Sequence, residues 1–395
     1  MKALIMAGGF AKRLEPLTKT KSKNMLPVAS KPVIAYSIDK ILEIGLKDIA
    51  ICTNKIFYEE IKNYTDKMYN NVNFTYVIEG SEDNNQKLGA VRAMDYAVKK
   101  SGINEECIVM LGDNIINFDT KKFAEFHVKN KSEATVALYN LGDLEKAKLY
   151  GIAEINNKKE IIHFIEKPKE PPSTLASTGC YFLNKRVITE LLPKFINDVK
   201  KADNLGDFFT YLLGKCRLYG FEFSEEWYDI GTPKTYLEAN KGVMNELKNK
   251  KIKKIGENFL NRGVLVGEGI IIGDNTKIGE NTKLLAPVVI GKNVEIGNDC
   301  LITPYSMILD NVNIGNKCTI NSSIIFENCE IKEDCELKSS IISSNVKIME
   351  NAEIGSCSVI GENAFIAGKC RILSDSKIGI GMKTECNTMI SGCVF

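Results

Sequence analysis

"VVIGKNVEIGNDCLITPYSMILDNVNIGNKCTI", residues 288–320, carries a branched apolar residue at every sixth position: Ile290, Ile296, Ile302, Ile308, Ile314 and Ile320. A helix would repeat near 3.6 residues and a lone strand near 2, so this period marks a stack of short, similar units. The series runs back through Leu284, Ile278 and Ile272 to Val266. A five-residue step leads on to Ile325, Ile331 and Leu337, and a second short step restarts the register at Ile342, Ile348, Ile354, Ile360, Ile366, Ile372 and Ile378. Glycine follows the apolar anchor at Gly273, Gly279, Gly291, Gly297, Gly315, Gly355, Gly361 and Gly379, as a tight corner between short strands would require. Four residues after the anchor the side chains are small or β-branched: Thr276, Thr282, Val288, Val294, Cys300, Ser306, Val312 and Cys318. The same count reaches Cys329, Cys335 and Cys370, so five cysteines are expected to face inward as small core residues rather than ligands.

This repeat resembles the hexapeptide family, whose members fold as left-handed parallel β-helices with three hexapeptides to a coil. By that resemblance the roughly twenty repeats would form six or seven coils. Twelve cysteines without a CxxC pair argue against zinc and against a disulfide framework. With 52 basic and 50 acidic side chains the net charge is +2, so no global field points to nucleic acid or a membrane. The apolar run in "MKALIMAGG" is too short for a secretory signal, and no stretch reaches transmembrane length; the expected location is the cytoplasm.

Ahead of the repeat the pattern changes. "KALIMA", "DIAICT", "NFTYVIEG" and "ECIVMLGDN" read as strands, separated by helical patterns around residues 55–67 and 87–100. Ser30 followed by Lys31-Pro32 reads as the N-cap and first turn of a helix ending near Gly45. Such alternation predicts an α/β domain with a mostly parallel sheet, whose ligands sit beyond the carboxyl ends of the strands. Thr232 is placed as the N-cap of a further helix with Pro233 at its first position. The expected division is residues 1–232, a linker helix over 233–251, and the β-helix over 252–395.

"MAGGFAKRLEPLTKTKSKNMLPVASKPVI", residues 6–34, combines a strand end, two glycines and a cluster of cations. Gly8 and Gly9 would let backbone N–H groups approach phosphate oxygens, with Lys12, Arg13, Lys19, Lys21 and Lys23 supplying charge. Alone, such a turn is also what a strand exit with a solvated rim would show. The whole stretch, however, resembles the start of sugar-1-phosphate nucleotidylyltransferases, approximately AGGxGTRLxPLTxxxPKxLLPVxxKPxI. "VMLGDNII", "FIEKPKEPP", "STGCYFL" and "EWYDIGTPKTYLEAN" follow in the family's order, so the resemblance covers the whole first domain. It implies a Rossmann-like nucleotidyltransferase domain with a mixed, mostly parallel sheet.

The resemblance implies attack by a sugar 1-phosphate on the α-phosphorus of an NTP, with Arg13, Lys23 and Asp113 as the catalytic set. Ala7, Gly8, Gly9, Arg13, Lys23, Glu79, Gly89 and Asp113 would bind the NTP. Gly151, Glu166, Lys167 and Thr178 would bind the sugar phosphate, and Asp113 with Asp229 would hold Mg²⁺ as hard oxygen donors. His127 and His163, the two histidines of the chain, carry no partner pattern and are expected to be structural. Three features depart from the family pattern. Ala11 and Lys12 replace a glycine and a threonine, "DNLGDFFT" lacks the arginine usual in thymidylyltransferases, and Glu79 stands where many relatives place a base-reading glutamine. If residue 11 needs a positive φ, the alanine is strained.

The expected pair is glucose 1-phosphate with dTTP or UTP; the alternative is a GDP-mannose or ADP-glucose pyrophosphorylase. Two further alternatives are a bifunctional enzyme that also acetylates amino sugars and a non-enzymatic regulatory subunit. Residues 251–395 contain no histidine, which removes the usual acetyl-transfer base. The β-helix is therefore expected to be an assembly surface for a homo-oligomer or an allosteric platform.

Overall fold

The computed structural model describes the chain except for residues 30, 82–87 and 200–202. It divides into two compact units: Met1–Phe10, Ser22–Leu26 and Pro32–Asp229 form the first, and Ala11–Lys21, Pro27–Lys31 and Ile230–Phe395 the second. The predicted linker helix thus belongs to the second unit, together with two stretches from the amino-terminal motif.

In the first unit the strand Lys2–Met6 lies between Asp48–Asn54 and Cys107–Leu111, parallel to both, and Asn73–Glu79 extends the parallel part. These strands are apolar on both faces because helices such as Val33–Glu43 and Ala90–Lys100 contribute buried residues to cores on either side. Beyond Leu111 the sheet becomes mixed, as expected. Leu175–Leu183 runs antiparallel to Cys107–Leu111, Ala134–Asn140 and Gly151–Ile155, so the nine-stranded sheet is mixed. A separate antiparallel pair joins Asn114–Ile116 to Trp227–Asp229.

One local expectation shifts and another holds. Lys31–Pro32 forms a short strand and the helix begins at Val33 with Pro32 at its N-cap, while Ser30 lies outside the described residues. Thr232 does cap the helix Pro233–Asn249, through a reciprocal bond with Thr235. Asn240 on that helix accepts from the Ala29 amide at 2.9 Å and donates to the Tyr305 carbonyl at 3.1 Å, linking parts of the second unit far apart in sequence.

From Lys253 onward the chain winds through three parallel sheets of nine, seven and eight strands, about eight coils rather than six or seven. Ile272 pairs with Ile290 and Ile278 with Ile296, an offset of eighteen; across the short steps Ile308 pairs with Ile325 and Ile325 with Ile342, an offset of seventeen. The anchors and the five predicted cysteines are buried in one core. Val266 is the exception. It is 46 % exposed, and Leu265 pairs with Leu284 and packs on the core in its place.

Candidate active site

The amino-terminal strand ends at Met6, and Ala7 is already fixed. Its N–H donates to the Cys52 carbonyl at 2.7 Å and its carbonyl accepts from Asn24 Nδ2 at 2.9 Å, so both backbone groups are committed within the protein. Gly8 and Gly9 follow and line a cavity of about 500 Å³ with Glu79, Gly89, Asp113, Asp203 and Asn204. At Gly8 a Cβ would sit 2.0 Å from Glu79 Oε1, so glycine leaves room there for the Glu79 carboxylate as it stands. Gly9 has open space around it, as a backbone contact to ligand needs. Gly89 combines both demands, with φ +84° and Asp203 packed against its Cα, and it caps the helix Ala90–Lys100.

Glu79 is 4 % exposed, and burial raises its carboxyl above the ordinary glutamate value although the Leu88 N–H opposes the shift. Most of "GSEDNNQKLG" between Glu79 and Gly89 lies outside the described residues.

Asp113 stands at the end of Cys107–Leu111, as ligands of such sheets require. Its Oδ2 pairs with the Lys23 ammonium and its Oδ1 accepts from Asn114 Nδ2 at 2.7 Å. Asp229 lies directly opposite Asn114 in the short antiparallel ladder, one residue along from Asp113, and Asn114 is held by Trp227 Nε1 at 2.8 Å. Along the backbone the two aspartates stand one residue apart across the ladder, and each offers hard oxygen donors of the kind Mg²⁺ takes. Among the described residues no group of three His, Cys, Asp or Glu side chains forms a closed metal site.

The residues expected at the sugar phosphate form a second cluster. Glu166 pairs in register with Gly151, and side chains at Gly151 or Gly206 would collide with its carboxylate, at 3.0 and 2.4 Å from Oε2. Lys167 Nζ lies 3.4 Å from Glu166 Oε1, while its backbone takes φ +45° and its N–H donates to Tyr150. Thr178 is buried and its hydroxyl donates to the Ala137 carbonyl at 3.0 Å, so it shapes the strand rather than presenting a free group. Next to it Gly179, at φ +77°, packs on Leu111 within a bulge of Leu175–Leu183. Burial pushes the Tyr181 phenol up against the opposing effect of its hydrogen bond with Ser177, and the Glu166 and Asp113 carboxylates add to the rise.

Arg13 falls in the second unit. Ala11, two residues before it, adopts φ +46°, so the strain expected of a non-glycine residue there is present. His127 is buried against Thr135 at 2.6 Å and Glu106 at 3.1 Å, and His163 pairs with Glu154 at 3.1 Å. Sequence reading missed Asn24, Asp203, Asn204 and Gly206; the polar "DNLG" run was the one available signal for the last three.

A nucleotidyl transferase family profile matches residues 2–246. The left-handed β-helix domain of the EIF2B epsilon subunit matches residues 250–354 and 284–372. The low-salt glycan biosynthesis nucleotidyltransferase Agl11 of Haloferax volcanii is 30% identical over 65% of this chain and 69% of its own. A mannose-1-phosphate guanyltransferase of Saccharomyces cerevisiae is 28% identical over 67% of this chain and 71% of its own. A bifunctional sugar-1-phosphate nucleotidylyltransferase/acetyltransferase of Sulfurisphaera tokodaii is 28% identical over 62% and 56%. Among solved structures, a Bacillus anthracis protein assigned as a glucose-1-phosphate thymidylyltransferase, in complex with sucrose, is similar with a TM-score of 0.53 and 30% identity, covering 61% of this chain and 94% of that one. No helix among the described residues is long and apolar enough to cross a membrane.

Proposed function

The chain belongs to the nucleotidyl transferase family, and from that premise we propose that it transfers a nucleotidyl group from GTP to mannose 1-phosphate, releasing pyrophosphate. One observation carries the reading: Gly8, Gly9, Glu79 and Asp113 line a single cavity, with Lys23 paired to Asp113. A phosphate oxygen of the sugar attacks the α-phosphorus, the bond to the bridging β-oxygen breaks, and pyrophosphate leaves with the electron pair. Catalysis is mainly alignment and charge neutralisation of two polyanions. The Gly8–Gly9 amides cradle the triphosphate, Lys23 meets charge on the α-phosphate and departing pyrophosphate, and Lys167 grips the sugar phosphate while Glu166 accepts from sugar hydroxyls. Arg13 is assigned to the triphosphate on the motif alone. Asp113 and Asp229 would hold Mg²⁺, which supplies positive charge to the phosphate oxygens.

Guanine is favoured over the thymine or uracil expected first. Relatives named as guanyltransferases support it, and Glu79 offers two acceptors to a base edge that presents two donors, N1–H and the 2-amino group. Pyrimidine imides present one donor beside a carbonyl, which an amide suits better. A pyrophosphate-release assay over a grid of NTPs and sugar 1-phosphates with Mg²⁺ is expected to show GTP with mannose 1-phosphate as the fastest pair. Glu79→Gln is expected to move the preference toward UTP or dTTP; unchanged base preference in that variant refutes the role of Glu79.

The match of the β-helix to a translation-factor subunit favours a second reading, a regulatory protein without turnover. A silent grid would establish it. In either case the β-helix is proposed as the surface of a homo-oligomer.

A further inference from the structure

Asn24 is not among the residues that line the cavity at Gly8 and Gly9, yet a carboxamide only 2 % exposed sits where three functional segments meet. Its Nδ2 donates to the Ala7 carbonyl at 2.9 Å and to Ser22 Oγ at 3.2 Å, and Ser22 Oγ also accepts the Asn24 N–H at 3.3 Å. Its Oδ1 accepts no hydrogen bond from any described group and lies 3.1 Å from where a Cβ on Gly112 would stand. Ala7 directly precedes Gly8–Gly9, Gly112 directly precedes Asp113, and Asn24 directly follows Lys23, whose ammonium pairs with Asp113. A buried acceptor without a donor costs stability, and a small apolar side chain would avoid that cost. The fold alone therefore does not account for an amide at this position. Nor would its loss orphan the Ala7 carbonyl, since Thr53 Oγ1 also reaches it at 3.4 Å.

We propose that Asn24 is a positioning residue, which locks the Gly8–Gly9 turn to the short helical turn bearing Lys23 so that the backbone amides and the ammonium keep a fixed spacing around the reacting phosphates. This rests on the nucleotidyl-transfer reading above. Asn24 touches no substrate; it acts through its donor atoms on Ala7.

The test compares wild type with Asn24→Ala and the near-isosteric Asn24→Leu, which keeps the volume and removes the donors. Steady-state kinetics and thermal melts are measured on the full chain. In both variants kcat is expected to fall about ten- to a hundredfold, the cost of a displacement near 1 Å in an aligned site, while KM for the sugar 1-phosphate and Tm stay near wild type. The proposal is overturned if either variant retains kcat within about threefold, or if turnover is lost only in step with Tm, which would make Asn24 merely structural. If Asn24→Ala does not fold, that structural role is shown directly. A wild type without transfer activity removes the functional reading and this inference together, whereas an active wild type with active variants removes only the inference.

Discussion

Glu79 has its carboxylate oxygen against Gly8, with burial holding the acid above its ordinary value. Accepting two base donors requires the ionised form. The KM for GTP is therefore expected to rise as pH falls through that raised value, at a higher pH than an unperturbed glutamate would give. A KM flat on mild acidification in steady-state assays would remove the ionised carboxylate from base recognition. The glycines at 8 and 9, the acids at 113 and 229 and the Glu166–Lys167 pair could be picked out in the sequence because each belongs to a motif of distinctive composition. Asp203 and Asn204 left only the faint signal of the "DNLG" run ahead of a helix, and Asn24 left none, because its bond to Ala7 and its place beside Gly112 join segments far apart in sequence. Thr178 shows what the sequence leaves unsaid about a motif residue. It lies in a motif strand, but a buried hydroxyl had to find an acceptor, and Ala137 supplies it.

In the β-helix the six-residue period revealed the strands and the inward positions, yet it misassigned the corners. The glycines that follow eight of the anchors do not carry a positive φ; as the coils stand, a Cβ at Gly273 would lie 2.5 Å from the Gly291 backbone. The left-handed conformation falls two residues later, at Asn275, Asn281, Asn293, Asn311, Asn328 and Asn345 among others. Asparagine tolerates that conformation best among the non-glycine residues. Five amide bonds of 3.1–3.3 Å link Asn258, Asn275, Asn293, Asn311, Asn328 and Asn345 into one ladder. Thiols fill a related structural need, with Cys300, Cys318 and Cys335 donating to carbonyls of the next coil at 3.0–3.1 Å. Since Ile342 pairs with Ile360, deleting residues 343–360 removes one whole coil and brings equivalent positions together. That deletion is expected to keep a cooperative melt by circular dichroism, whereas deleting residues 343–351 throws the anchors out of register and is expected to abolish it. Equal melts for the two would contradict the register.

Across the whole molecule the cores remain separate: one cluster spans Ile270 to Ile378, and the other two draw on residues before Ile230. Chain membership is less tidy, because the path passes between the two compact units after residues 10, 21, 26, 31 and 229. Ribosomes deliver the amino end first. Residues 11–21 and 27–31 thus emerge about 200 residues ahead of the rest of their own unit, a delay on the order of ten to forty seconds at ordinary elongation rates. A nascent chain arrested at Asp229 is expected to be cut by protease within residues 11–31, while the released full-length product resists there. The translation interval thus leaves the motif's cationic stretch without its native packing until synthesis is nearly complete, which makes premature termination a route to a proteolysis-prone product.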